Sequence, residues 1–267
     1  MFQSVQPVIQ PGSTILVTGV TGFIGSHIAQ QLLDAGYCVV GVTRDANKNR
    51  VSGIVHTASD MTFGADPNVI IPPVVSAAVS ILKAAAASTS VERVVFTSSC
   101  AAAAMPTPGH YPTITSESWN DEALERAWDA PPYNPDRGFI VYAASKTAAE
   151  KAVWNWYKEE RPPFVLNTDF YIDVEDSARL HLAALLHPTV TEERIFAYAK
   201  PYTWKMVQDV LREIFPNKDL TPDIRETEAD RSVVTGMARS EGLLKEMGKA
   251  GYTSLQETVR LNTIDFS

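Results

Sequence analysis

The sequence predicts an α/β protein, a doubly wound parallel sheet followed by a small, mainly helical C-terminal portion, and two observations carry that prediction. Stretches with strand character alternate with stretches of helical periodicity along most of the 267 residues. At the head of the alternation, Thr14 to Gly25 reads Thr-Ile-Leu-Val-Thr-Gly-Val-Thr-Gly-Phe-Ile-Gly, a β-prone run and then a glycine turn. Apolar residues then switch to helical spacing at Ile24, Ile28 and Leu32, with Ala29 and Leu33 beside them.

Each glycine of this turn has a chemical use. Gly19 permits the tight turn, Gly22 lets backbone approach a pyrophosphate, and Gly25 lets helix pack on strand. The helix start at Thr21, Phe23 and Ile24 then offers free N–H groups and the positive end of the helix dipole. A glycine-rich turn without a ligand is the plain alternative. The strand–turn–helix context favours a Rossmann dinucleotide site.

Composition bounds the rest. Hydrophobic residues make up 45% and charged residues 20%, enough for a core in a soluble chain, and the net charge of −8 argues against nucleic acid or an anionic membrane as main partner. No apolar run is expected to reach the ~20 residues of a membrane span. Residues 1–12 form a loose lead-in without signal-peptide character, and Cys38 and Cys100 read as buried reduced thiols, so a cytoplasmic protein is expected.

In order along the chain, the first helix stops at Gly36, and Tyr37 to Thr43 forms the second strand. Arg44 and Lys48 follow where such folds read the adenosine ribose, favouring a 2′-phosphate and hence NADP(H). Asp45 keeps NAD(H) as the less favoured cofactor, and a solvated loop is the alternative for both basic residues. Val51 to Ala58 is the next strand, but only Arg44 to Ser52 precede its apolar part. Nine extended residues reach roughly 30 Å, too little for a further strand and helix. A helix from Pro67 carries Val75, Val79, Leu82 and Ala86 on one stripe, and Arg93 to Ser99 is another buried strand. Residues 101–138 are mostly loop, with an amphipathic piece around Asp121 to Trp128. A long helix opens at Tyr142, followed by a strand at Phe164 to Thr168, a helix at Val174 to Leu186 and a strand at Arg194 to Ala199. Trp204 to Ile214 and Ser240 to Met247 are helices, so a dinucleotide-binding domain spans 1–200 and a substrate-side portion 201–267.

Tyr142-Ala-Ala-Ser-Lys146 sets Tyr and Lys one helical turn apart on one face. Alone, this spacing is common on helix surfaces. Together with the glycine turn and a strand ending in Thr97-Ser98-Ser99, the chain resembles the extended short-chain dehydrogenase/reductase family. It is most similar to the branch of dihydroflavonol 4-reductases, methylglyoxal reductases and NADPH-dependent aldehyde and ketone reductases. The likeness covers nearly the whole chain and rests on Thr18 to Gly25, Val55 to Ser59, Val94 to Ser99, Val141 to Glu150 and Tyr171 to Asp176.

The resemblance implies a small-molecule carbonyl substrate and a role for each residue. Tyr142 would donate a proton to the carbonyl oxygen, and Lys146 would lower its pKa and hold the nicotinamide ribose. Ser99 would orient the carbonyl, with Ser98 as the neighbouring candidate. His56, Thr57 and Ala58 would line the cofactor, with a satisfied strand-end histidine as the alternative for His56. Asp173 and Asp176 are expected to cap a helix start.

Two departures stand out. The family carries a strand and helix between the Arg44 loop and the Val51 strand, and a nicotinamide-side loop and substrate-covering segment after Thr168. Residues 50/51 and 168/169 are therefore expected not to be bonded neighbours but to flank missing segments. Ordinary continuity would instead favour a shortened, catalytically impaired dinucleotide-binding paralogue. A nucleotide-sugar epimerase or dehydratase, sharing the same Ser, Tyr and Lys, is the third reading.

Overall fold

In the computed structural model, which describes residues 2, 5–41, 50–105, 109–169 and 172–264, the alternation closes into a six-stranded parallel sheet. The first half contains β1 (Thr14–Thr18), α1 (Phe23–Asp34), β2 (Cys38–Val40), β3 (Val51–His56), α2 (Pro67–Ala86), β4 (Arg93–Thr97), β5 (Thr113–Ile114) and α3 (Asp121–Ala127). The second contains α4 (Gly138–Glu160), β6 (Val165–Asp169), α5 (Val174–Leu186), β7 (Arg194–Ile195), α6 (Trp204–Ile214), β8 (Val233–Val234), α7 (Met237–Glu246) and α8 (Leu255–Asn262). The large sheet runs β2-β1-β3-β4-β6-β7, and β5 pairs with β8 in a separate two-stranded ladder.

Period-two alternation divides each strand between two cores. Ile15, Val17, Val55 and Val95 face α1 and α5, packing with Ile28, Leu32 and Leu182. Ile54, Val94, Phe96 and Leu166 face α2 and α4, packing with Leu82, Val141 and Val153. A fully buried Leu32 or Leu166 contributes on the order of 2 kcal/mol of transfer free energy. Val234, Leu243 and Leu244, beyond residue 200, belong to the first of these cores, so the C-terminal portion is packed into the sheet layer.

The ends of the elements follow local chemistry. Gly36, at φ 85°, ends α1, and the N–H groups of Gly36 and Tyr37 satisfy the carbonyls of Leu33 and Leu32. Asp66 caps α2 through the Asn68 N–H at 2.9 Å, with Pro67 in the first turn. The lead-in is not loose throughout: Ile9 is buried, and its carbonyl accepts from the Tyr37 hydroxyl at 2.7 Å. Both cysteines are free and exposed rather than buried.

One further expectation is corrected. α2 has the length and composition of a membrane-crossing helix, with mean hydropathy 1.9 over a window that is 33% buried. Its stripe Ile70, Ile71, Val74, Ala78 and Leu82 packs in the second core, as a core helix does. At the 168/169 junction both residues belong to one strand. Thr168 and Asp169 are successive residues of β6, paired with Phe96 and Thr97 of β4 and with Arg194 and Ile195 of β7. At the other junction β3 begins at Val51, paired with Thr14, and residues 42–49, including Arg44 and Lys48, lie outside the described residues. Among the described residues no strand lies beyond β2 at this edge of the sheet.

Candidate active site

The glycine turn has the shape its spacing implies. Gly19 sits at φ 67°, where a side chain is strained, and a Cβ there would lie 2.6 Å from the Thr57 hydroxyl. A Cβ at Gly25 would lie 2.2 Å from the Gly19 carbonyl oxygen, so the helix approaches the strand as closely as backbone allows. Gly22 caps α1 without a side-chain hydrogen bond, and the first turn carries no acidic residue. Thr21, Gly22 and Phe23 are exposed and Ile24 half-buried. The N-terminal N–H groups of α1 are thus left for a phosphate, and the cradle fits a dinucleotide pyrophosphate.

His56, Thr57 and Ala58 stitch the ends of β1 and β3 together. The Thr57 hydroxyl donates to the Thr18 carbonyl at 2.7 Å, and the Ala58 N–H donates to the Thr18 hydroxyl at 3.3 Å. That hydroxyl lies 2.7 Å from His56 Nδ1, and the imidazole stacks on Phe96 with centroids 5.8 Å apart. Burial, reinforced by the Lys146 charge, pulls the His56 pKa down to about 4. The ring is a satisfied, neutral strand-end histidine. The unfolded chain takes up this proton below about 6.5 while the folded one resists it until about 4. The stability His56 confers is therefore complete above pH 6.5 and lost as pH falls to 4, on the order of 3 kcal/mol. Denaturant melts at pH 7 and 4.5 should show a loss that shrinks in His56→Gln, whose side chain cannot charge.

The strand ends of β4 and the first turns of α4 form the second half of the site. Ser99 is buried, its hydroxyl accepts from the Ala101 N–H at 3.2 Å, and it lies near enough to Tyr142 to favour ionisation of the phenol. Ser98 points elsewhere and donates to Glu150 Oε2 at 2.7 Å. Alternation thus separates the two serines, and Ser99 faces the tyrosine. Tyr142 is half-buried between Phe63, 5.1 Å away, and Phe139, 6.1 Å away. Phe63 holds a positive φ of 52°, and its carbonyl lies where a Cβ on Gly138 would stand 2.2 Å off.

Lys146 is buried, donates to the Thr97 carbonyl at 2.8 Å and lies 5.0 Å over the Phe96 ring. Burial lowers its pKa to about 8, against the opposing pull of Glu150. The Tyr142 phenol moves in the direction opposite to expectation: burial raises its pKa, with the nearby Ser99 hydroxyl working the other way. At neutral pH Tyr142 is a protonated phenol beside a serine hydroxyl.

Sequence reasoning passed over Glu150 and Arg194. Glu150 is fully buried, and Arg194 reaches its two oxygens at 2.8 and 3.1 Å. The only signal was a charged residue one turn beyond Lys146; its partner stands 44 residues away. Asp173 caps α5 through the Glu175 N–H at 3.0 Å, as expected. Asp176 does not cap: it accepts from the Thr253 N–H at 2.6 Å and ties α5 to the loop before α8. A cleft of about 1120 Å³ borders Trp119, Trp154, Tyr157 and Arg194, on a part of α4 away from Tyr142, and none of the predicted site residues lines it.

A parallel sheet carrying this turn, and a Ser, Tyr and Lys at its strand ends, defines a dinucleotide-dependent Rossmann protein. The profile of the GDP-mannose 4,6 dehydratase family matches residues 16–72. The NAD-dependent epimerase/dehydratase terH of Aspergillus terreus is 32% identical, over 94% of this chain and 96% of that protein. Aldehyde reductase 2 of Sporidiobolus salmonicolor is 28% identical, over 95% of this chain and 96% of its own. The crystal structure of Gre2 from Candida albicans in complex with NADPH superposes with a TM-score of 0.75 at 22% identity, covering 95% of this chain and 99% of that one. The chain belongs to the extended short-chain dehydrogenase/reductase family, whose members include NAD(P)-dependent epimerases, dehydratases and reductases. The terH alignment runs over 327 positions, whereas 94% of 267 residues is about 250, so about 75 positions have no counterpart in this chain.

Proposed function

We propose that the protein is an NADPH-dependent reductase of aldehyde or ketone carbonyls. One observation carries the reading: a protonated Tyr142 phenol, beside the Ser99 hydroxyl, stands one helical turn from a buried lysine at the strand ends. When bound, NADPH supplies the hydride that reaches the carbonyl carbon. Tyr142 gives its proton to the carbonyl oxygen as charge develops there. Ser99 donates a hydrogen bond to the same oxygen and aims it. Lys146, an ammonium below pH about 8, holds positive charge beside the phenol and offers N–H donors to the nicotinamide ribose. Gly19, Gly22 and Gly25 cradle the pyrophosphate at the start of α1.

Preference for NADPH over NADH rests on Arg44 and Lys48. Replacing both by Ala should weaken NADPH by about tenfold or more while leaving NADH nearly unchanged, because one charge-assisted contact contributes roughly 1.5–3 kcal/mol. Fluorescence titration of both cofactors checks this; equal losses would mean that the loop does not read the 2′-phosphate. The reductase reading itself is tested by NADPH oxidation over a panel of aldehydes, diketones and keto esters. A second reading, a dinucleotide-binding module without turnover, is favoured by the shortage of about 75 aligned positions relative to terH. Cofactor binding without oxidation on any member of the panel would select it.

A further inference from the structure

Donors from four elements converge on one carboxylate at the back of the site. Glu150, on α4 and fully buried, accepts from Ser98 at the end of β4 at 2.7 Å and from Thr168 of β6 at 2.8 Å. Arg194 of β7 grips both its oxygens, and Trp154 Nε1, on α4 itself, donates at 3.4 Å. Arg194 is in turn fixed by the carbonyls of Ser116 and Ser118, at 2.6 and 2.9 Å, and by the Trp119 ring, 3.9 Å below its guanidinium. An ion pair that only held the core together has no need of a particular place in it. This one is bonded to the residue before Ser99 and stands one turn along the helix from Lys146, whose ammonium holds the carbonyl of the residue before that.

Resting on the reductase reading of Ser99, Tyr142 and Lys146, we propose that Glu150 is a positioning residue for the reduction. Through Ser98 it fixes the strand end that aims Ser99 at Tyr142, and through its negative charge it holds Lys146 as an ammonium. The other groups facing Lys146 leave that task to Glu150. His56 from β3 is neutral above about pH 4, and Tyr142 on the same helix is a neutral phenol. Arg194 from β7 is a cation and acts in the opposite sense, and His181 from α5 reaches this place through the Thr97 hydroxyl, at 2.8 Å. Glu150 is thus the one anion among the described groups around the ammonium.

The test follows the Lys146 side-chain NMR signal of the full chain against pH, assigned by its absence in Lys146→Arg. The wild-type midpoint is expected near 8. Glu150→Gln should lower it by about one unit, since it removes a charge within one helical turn. Arg194→Met, which leaves the carboxylate without its competing cation, should raise it and reports on the proposal even if Glu150→Gln does not fold. Ser98→Ala should leave the midpoint in place and lower kcat about tenfold with little change in KM. A midpoint unmoved by Glu150→Gln and by Arg194→Met, or a normal kcat in Ser98→Ala, would overturn the proposal. Tyr142→Phe, assayed alongside, separates the two ideas: normal turnover in that variant removes the reductase reading itself, whereas the midpoints judge Glu150 independently of turnover.

Discussion

Tyr142→Phe should reduce carbonyls 10²–10⁴-fold more slowly than the wild type, the range that a positioned general acid contributes. Only a hydroxyl is removed. The ring keeps its neighbours Phe63 and Phe139, at 5.1 and 6.1 Å, so folding and NADPH affinity should be preserved. Ser99→Ala should cost on the order of 10²–10³, the value of one donor to a developing oxyanion. Lys146→Ala should slow the reaction and also weaken NADPH, because its ammonium serves both phenol and ribose. Steady-state NADPH oxidation, with cofactor affinity measured separately, distinguishes these patterns. Near-normal turnover in Tyr142→Phe would mean that the proton comes from elsewhere.

Gly25→Ala should weaken dinucleotide binding by about tenfold or more. The added methyl would lie 2.2 Å from the Gly19 carbonyl oxygen, 2.8 Å from its carbon and 3.0 Å from the Thr57 hydroxyl. Two of those three atoms are backbone, so α1 must shift off β1 and the N–H groups at its start must move with it. Overpacking of this kind costs typically 1–3 kcal/mol, and about 1.4 kcal/mol of it spent on the phosphate site already means a tenfold weaker cofactor. Gly242→Ala in α7 is the control. Nothing lies within 4 Å of its Cβ, so replacing a glycine inside a helix there should stabilise by roughly 0.5–1 kcal/mol. Thermal melts with and without NADPH read both variants. An unchanged ligand-induced shift in Gly25→Ala would detach the turn from cofactor binding.

What the sequence made legible was whatever depends on near neighbours. The glycine turn, the Gly36 stop, the Asp173 cap and the bounds of α5 and α6 are all local patterns, and the structure has each of them. β5 and β8 were missed because each has two residues, and their pairing joins Ile114 to Val234 across some 120 positions. Separations of 44 and 77 residues hid the Glu150–Arg194 pair and the tie between Asp176 and Thr253. Sequence also misjudged the sign of the Tyr142 shift: a lysine four residues away suggested a lowered phenol, whereas burial raises it in the folded chain. Only the resemblance favours Ser99 over Ser98 in the sequence; that Ser98 is taken up by Glu150 is a contact no strand pattern reveals.

The most direct measurement supplies NADPH deuterated at the nicotinamide C4 to the wild-type chain, with the carbonyl panel, and follows deuterium in the products by mass spectrometry. A working reductase places one deuterium on the new carbinol carbon, at a rate that falls 10²–10⁴-fold in Tyr142→Phe. Tight NADPH binding with no deuterium in any product would contradict the account and leave a dinucleotide-binding module in its place.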